Sequence, residues 1–97
     1  MIELDYKNNH FFFEETPTAP ALVNEIFQDN YRIFERGIKF EPGDVVLDIG
    51  ANEGLFSIML AKLYPYLRII AFEPVPRTFF QMIRNIGLNV RGTGIPR

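Results

Sequence analysis

Two acids mark where this chain can do chemistry. An apolar run starting at Val45 ends in Asp48, and a tight turn with two glycines follows it, Gly50-Ala51-Asn52-Glu53-Gly54. About two dozen residues on, a second apolar run, Arg68 to Phe72, ends in Glu73. A carboxylate at the tip of a strand can accept hydrogen bonds from the two adjacent hydroxyls of a ribose. Glycine, having no Cβ, lets backbone approach a ligand closely and adopt positive φ. Asn52 stands where many such turns carry a further glycine, and Asn tolerates the left-handed region better than most residues. Taken singly, a glycine turn or a strand-tip acid is also found in proteins without a ligand. Here the order is strand, glycine turn, helix, strand and acid, which is the nucleoside-binding half of a doubly wound α/β fold.

The spacing narrows the ligand. Gly50-x-x-x-Gly54 is not the G-x-G-x-x-G fingerprint of dinucleotide sites, which weighs against a nicotinamide-dependent oxidoreductase. No Gly-Lys-Ser/Thr occurs, so a P-loop is excluded. The stretch DIGANEG, followed by AFEPVPRTFFQMIRNIGLN, resembles the first two motifs of class I S-adenosylmethionine (SAM)-dependent methyltransferases. It is similar more narrowly to the FkbM family, with its D-[VI]-G-A-N-x-G and F-E-P signature, over about residues 43 to 89.

The resemblance implies roles by position. Asp48, Gly50, Ala51, Asn52 and Gly54 match the loop that packs on the methionine and ribose parts of SAM. Glu73 matches the acid that binds the ribose hydroxyls. Phe72, Pro74 and Val75 match positions near the adenine. Glu53 falls at the family's variable position, where it also reads as a first-turn helix acid favoured by the macrodipole. The implied reaction is methyl transfer from SAM to a hydroxyl oxygen of a small molecule or sugar. The implied fold carries a seven-stranded sheet, of which this chain supplies the first two strands. The acceptor-binding and catalytic positions of the family have no counterpart here, so no catalytic residue is assigned and the chain alone is expected to be inactive.

The elements that must position these residues follow from pattern. Ile2 to Tyr6 and Phe11 to Phe13 flank Lys7-Asn8-Asn9-His10 and read as a β-hairpin with a polar turn, spanning 1–15. His10, the sole histidine, falls at that turn without a local acid partner and reads as a solvated residue rather than a general base. A lead-in over 16–42 begins with the breakers Thr16-Pro17-Thr18-Ala19-Pro20. Thr18 is the expected cap of a helix near Ala19 to Phe27. From Asp29 to Phe40 helix and strand patterns compete; Tyr31 reads as a packed aromatic that is also placed to touch a ligand. A βαβα unit follows over 43–89. Its first strand, Val45 to Ile49, is apolar on both faces, as a strand covered on both sides by helices should be. Its first helix, about Gly54 to Leu63, should be largely buried and end by Tyr64, before Pro65. Its second starts at Pro76 and should end at Gly87, with Phe79, Phe80, Met82, Ile83 and Ile86 inward and Arg77, Gln81 and Arg84 in solvent. Residues 90–97 form a tail.

Composition bounds the rest. The chain has 97 residues, a net charge of −2, 47% hydrophobic residues and ten Phe, which suits one small globular domain with a modest core. It lacks cysteine, so disulfides and Cys-based metal sites are excluded. Scattered Arg and Lys give no footprint for nucleic acid or an anionic membrane. The start lacks the basic and apolar regions of a signal peptide, and the expected location is cytoplasmic. The reading is an incomplete Rossmann-like α/β domain, the SAM-binding part of an FkbM-like methyltransferase. The competing reading is a non-catalytic module serving folding or protein interaction. In a sheet of two strands the edge of the first would be open, so a homo-oligomer through open sheet edges, or cover by the hairpin, is expected.

Overall fold

The computed structural model describes residues 1–29 and 37–89, so the sequence reading for Tyr31 lies outside the described residues. The hairpin forms from β1 (Ile2–Tyr6) and β2 (Asn9–Phe13), with Tyr6 paired to Asn9. Its loop is therefore only Lys7-Asn8, shorter than the four-residue turn expected. Both residues have positive φ, 46° and 64°, the mirror-image turn whose twist suits a two-residue hairpin. His10 consequently stands on β2. Alternation turns Phe11 and Phe13 inward, where both are fully buried.

A short helix, α1 (Ala19–Val23), continues into a π-helical turn over Asn24–Asp29 that delivers Ile26 and Phe27 to the core. The expected cap is corrected. Thr18 has helical backbone angles and makes no capping bond. Thr16 Oγ instead accepts from the Ala19 amide at 3.0 Å.

The βαβα unit follows as β3 (Val45–Ile49), α2 (Leu55–Leu63), β4 (Arg68–Phe72) and α3 (Pro76–Asn89). β3 and β4 pair in parallel, Val45 opposite Arg68 and Ile49 opposite Phe72. α2 ends as expected, with the Tyr64 amide donating to Leu60 O just before Pro65. Leu55, Ser57, Ile58, Met59 and Leu60 are buried along it, because it meets the hairpin, α3 and the parallel sheet at once. Phe11, Phe13, Ile26, Phe27 and the apolar residues of α2 make one core, against which Val46 and Ile69 of the sheet also pack.

Three sequence expectations change. First, α3 runs through Gly87 to Asn89. The Asn89 amide group bonds both the N–H and C=O of Phe12, at 2.8 and 2.6 Å, and this anchor holds the last turn helical past the glycine. Second, the buried stripe of α3 is Gln81, Met82 and Asn85, while Phe79 and Phe80 are exposed. That stripe faces the outer edge of β2, whose backbone groups require polar partners. Asn85 Oδ1 accepts from the Glu14 amide, and Gln81 Nε2 donates to the Glu14 carboxylate. Third, among the described residues β3 is covered on one side only. Val45, Leu47 and Ile49, with Ile70 and Phe72 of β4, are exposed on the other. Among the described residues the hairpin packs chiefly on α2 and α3.

Candidate functional site

The site lies at the carboxyl ends of the two parallel strands, where open α/β sheets place ligands. The chain leaves β3 through Gly50 (φ 73°) and Asn52 (φ 58°) and enters α2 at Gly54 (φ 89°). Three left-handed positions in five residues fold the turn back over the strand end. β4 holds it there: Phe72 O accepts from the Gly50 and Ala51 amides at 2.9 and 2.8 Å. Glu73 adds a charge-assisted bond, its Oε1 accepting from the Asn52 amide at 2.8 Å, while Oε2 accepts from the Val75 amide at 3.0 Å. The two motifs read from the sequence thus meet through a backbone-to-carboxylate bond.

Beside the turn is a cavity of about 230 Å3, walled on one side by Asp48, Gly50, Ala51, Asn52 and Glu53 and on the other by Leu22, Glu25 and Ile26. Leu55 and Phe56 close its base. Asp48 is fixed by Ser57 Oγ, which donates to its Oδ2 at 2.6 Å. A Cβ on Gly50 would meet nothing within 4 Å, so this stretch of backbone is open to an approaching molecule.

The sequence-expected residues divide into three groups. Asp48, Gly50, Ala51 and Asn52 wall the cavity. Phe72, Glu73, Pro74 and Val75 follow one another around the tip of β4, outside the cavity lining, with Phe72 and Val75 exposed. Gly54 is buried beneath α3. A Cβ there would come within 2.7 Å of Met82 Cγ, so the geometry gives this glycine a packing reason rather than an opening toward a ligand.

Glu53 stands out from its weak sequence claim. It is 5% exposed and lines the cavity. Thr16 Oγ donates to its carboxylate at 2.8 Å and Thr18 Oγ at 2.5 Å. Its backbone carbonyl accepts from Asn85 Nδ2 at 3.0 Å. Thr16, Thr18 and Asn85 were not legible as site residues, because their partner lies more than thirty positions away and no local pattern points to it. Leu22, Glu25 and Ile26 were legible only as helix residues.

His10 is also corrected. On β2 it lies between two acids of β1, its Nδ1 2.5 Å from Asp5 Oδ1 and its Nε2 3.2 Å from Glu3 Oε1. The Asp5 bond, then the Glu3 bond, raises its pKa above the ordinary 6.5. It remains an exposed hairpin residue that does not line the cavity. Among the described residues no cluster of His, Cys, Asp and Glu is arranged to hold a metal ion, and no helix is long and apolar enough to cross a membrane.

Several known proteins with a related sequence are named methyltransferases, as the DIGANEG and FEPVP stretches suggested, and one is the AMB antimetabolite synthetase AmbE of Pseudomonas aeruginosa, 44% identical over 67 residues, 68% of this chain and 3% of that protein. The chain is 39% identical over 67 residues to the 31-O-demethyl-FK506 methyltransferase FkbM of Streptomyces tacrolimicus, covering 69% of this chain and 25% of that protein. It is 42% identical over 78 residues to Methyltransferase sdnD of Sordaria araneosa, 79% of this chain and 29% of the relative. Methyltransferase 1 of Beauveria bassiana is 41% identical over 54 residues, 55% of this chain and 22% of its own length. The chain therefore spans about a quarter of the length of these curated methyltransferases. No family model and no solved structure matches it.

Proposed function

We propose that this chain is the SAM-binding portion of an FkbM-like methyltransferase that acts on a hydroxyl oxygen of a small molecule or sugar. One observation carries the reading. Glu73 and the glycine turn, separate in sequence, converge at the carboxyl ends of β3 and β4 through the Asn52–Glu73 bond. The partial identity to methyltransferases supports it.

The residues present fit such a ligand. The Glu73 carboxylate has about four acceptor sites, and two backbone amides occupy only part of that capacity. The remainder suits ribose hydroxyls. Gly50 leaves bare backbone for the ligand to lie against. Phe72 and Val75, exposed beside Glu73, offer an apolar surface for a base. Asp48 and Glu53 carry carboxylates at the cavity wall, and Glu25 brings a third from the π-helical turn. Bound SAM would supply an electrophilic methyl group on a sulfonium. What this chain contributes is position, since holding two reactants in line converts an encounter into an effectively intramolecular step.

A second reading keeps support from the size of the cavity. At about 230 Å3 it falls below the roughly 300–1,000 Å3 of ligand pockets that hold a whole small molecule. On this reading the chain is a non-catalytic module serving folding or protein interaction, and it stands if the chain binds no SAM.

Calorimetric titration of the chain with S-adenosylhomocysteine, SAM and NAD is the test. Weak binding of the first two, little of NAD, and a loss of roughly 1.5–3 kcal/mol in Glu73→Ala for each charge-assisted bond removed are expected. Equal affinity for NAD, or a Glu73→Ala variant that binds as well as the parent, refutes the reading. Label transfer from radiolabelled SAM to hydroxylated small molecules is expected to stay at the level of the Glu73→Ala control.

A further inference from the structure

Glu53 joins parts of the molecule that are far apart in sequence. It follows left-handed Asn52 in the glycine turn, and its side chain reaches to the segment just ahead of α1, where Thr16 and Thr18 donate to the carboxylate. Thr16 serves two partners at once, accepting from the Ala19 amide as it donates to Glu53. The helix so started supplies Leu22, Glu25 and Ile26, the wall of the cavity opposite the glycine turn. From a third direction, fully buried Asn85 of α3 holds the Glu53 carbonyl.

Among the described residues, the Glu53 carboxylate thus links the glycine turn to the segment that starts the opposite wall. A buried carboxylate is costly unless it is hydrogen-bonded, so the two hydroxyls and the acid hold each other in a single arrangement. A surface first-turn acid would do none of this, because its contribution would be a screened interaction with the helix dipole.

We propose that Glu53 is a positioning residue: through Thr16 and Thr18 it sets the separation of the α1 wall from the glycine turn, and so fixes the turn in the shape that receives the ligand. Only the affinity arm of its test rests on the function proposed above; the shape of the turn is measurable without any ligand.

The test uses the whole chain with Thr18→Val, which removes one donor while leaving the Thr16–Ala19 cap in place. Thr18→Ser, which restores the hydroxyl, is the matched control. Glu53→Ala removes the link entirely. The first readout is the set of backbone amide NMR signals of Gly50 to Gly54 without ligand. The second is the S-adenosylhomocysteine dissociation constant. Thr18→Val and Glu53→Ala are expected to move the turn signals while those of β1 hold, and to weaken binding by about tenfold or more. Thr18→Ser is expected to match the parent in both. Unmoved turn signals in Thr18→Val and Glu53→Ala overturn the proposal, as do shifts spread evenly over hairpin and helices, which mark a merely structural role. Thr18→Ser behaving like Thr18→Val also overturns it, since the hydroxyl would then be irrelevant. Should the parent bind no S-adenosylhomocysteine, the ligand reading fails, and the amide signals still decide the role of Glu53.

Discussion

Gly54 shows how one atom's absence can have two meanings. Its φ of 89° and the 2.7 Å approach of Met82 Cγ to a would-be Cβ make any side chain there both strained and overpacked. Gly54→Ala is expected to destabilise the fold by roughly 2–4 kcal/mol, combining overpacking with the left-handed penalty, as denaturant unfolding would show. Gly50 has the same left-handed backbone and open space around it, so Gly50→Ala should cost only about 1–2 kcal/mol and act mainly on ligand affinity. The ionisable residues of the hairpin carry opposite pH signatures. His10, raised chiefly by Asp5 and then Glu3, contributes stability that is fully present below its ordinary 6.5 and is lost as pH rises through its higher folded value. Glu14, lowered chiefly by Gln81 and then Arg84, contributes stability present above its ordinary 4.5 and lost as pH falls through its lower folded value. Hairpin amide protection, exchange taken relative to the intrinsic rate at each pH, should therefore be greatest between those two limits. In His10→Gln the loss on the alkaline side should vanish, and a retained alkaline loss would remove His10 from the account.

At the scale of elements, what was legible is what local pattern controls. The hairpin, α2 with its end before Pro65, both parallel strands and the start of α3 at Pro76 follow from alternation, an apolar run and proline chemistry. So do the glycine turn and the two acids, which identify themselves by type and spacing. What escaped was tertiary. Gln81 looked like solvent-facing helix and Phe79 like core, because helical periodicity does not say that the neighbouring surface is the polar outer edge of a strand. Thr16 and Thr18 looked like punctuation before a helix, and Asn85 like an ordinary polar residue, because their partners are set only when the hairpin and α3 close around the turn. Asn85 gives that closure a measurable weight. Asn85→Asp keeps the acceptor for the Glu14 amide but cannot donate to Glu53 O, leaving a buried carbonyl unmet beside a new charge. A loss of about 1–3 kcal/mol is expected by thermal or urea unfolding.

The molecule as a whole is covered unevenly. Among the described residues, α2 packs on one side of the parallel sheet, while Leu47 at 59% and Ile49 at 73% exposure head an apolar face on the other. Such a face invites association. A concentration-dependent dimer or larger species is expected in light scattering at micromolar protein, and Leu47→Lys should dissolve it while leaving the glycine turn intact. A parent chain that stays monomeric across dilution would remove the expectation.

The asparagines of α3 limit where such association can occur. Asn85 and Asn89 are one helical turn apart, a rise of about 6 Å, and they meet Glu14, just past the end of β2, and Phe12, two residues that would lie about 6.8 Å apart in extended chain. The two spacings nearly coincide, so the helix can imitate a neighbouring strand with side-chain amides. By occupying the outward backbone groups at Phe12 and Glu14 it withdraws that border of the hairpin from pairing with any foreign chain.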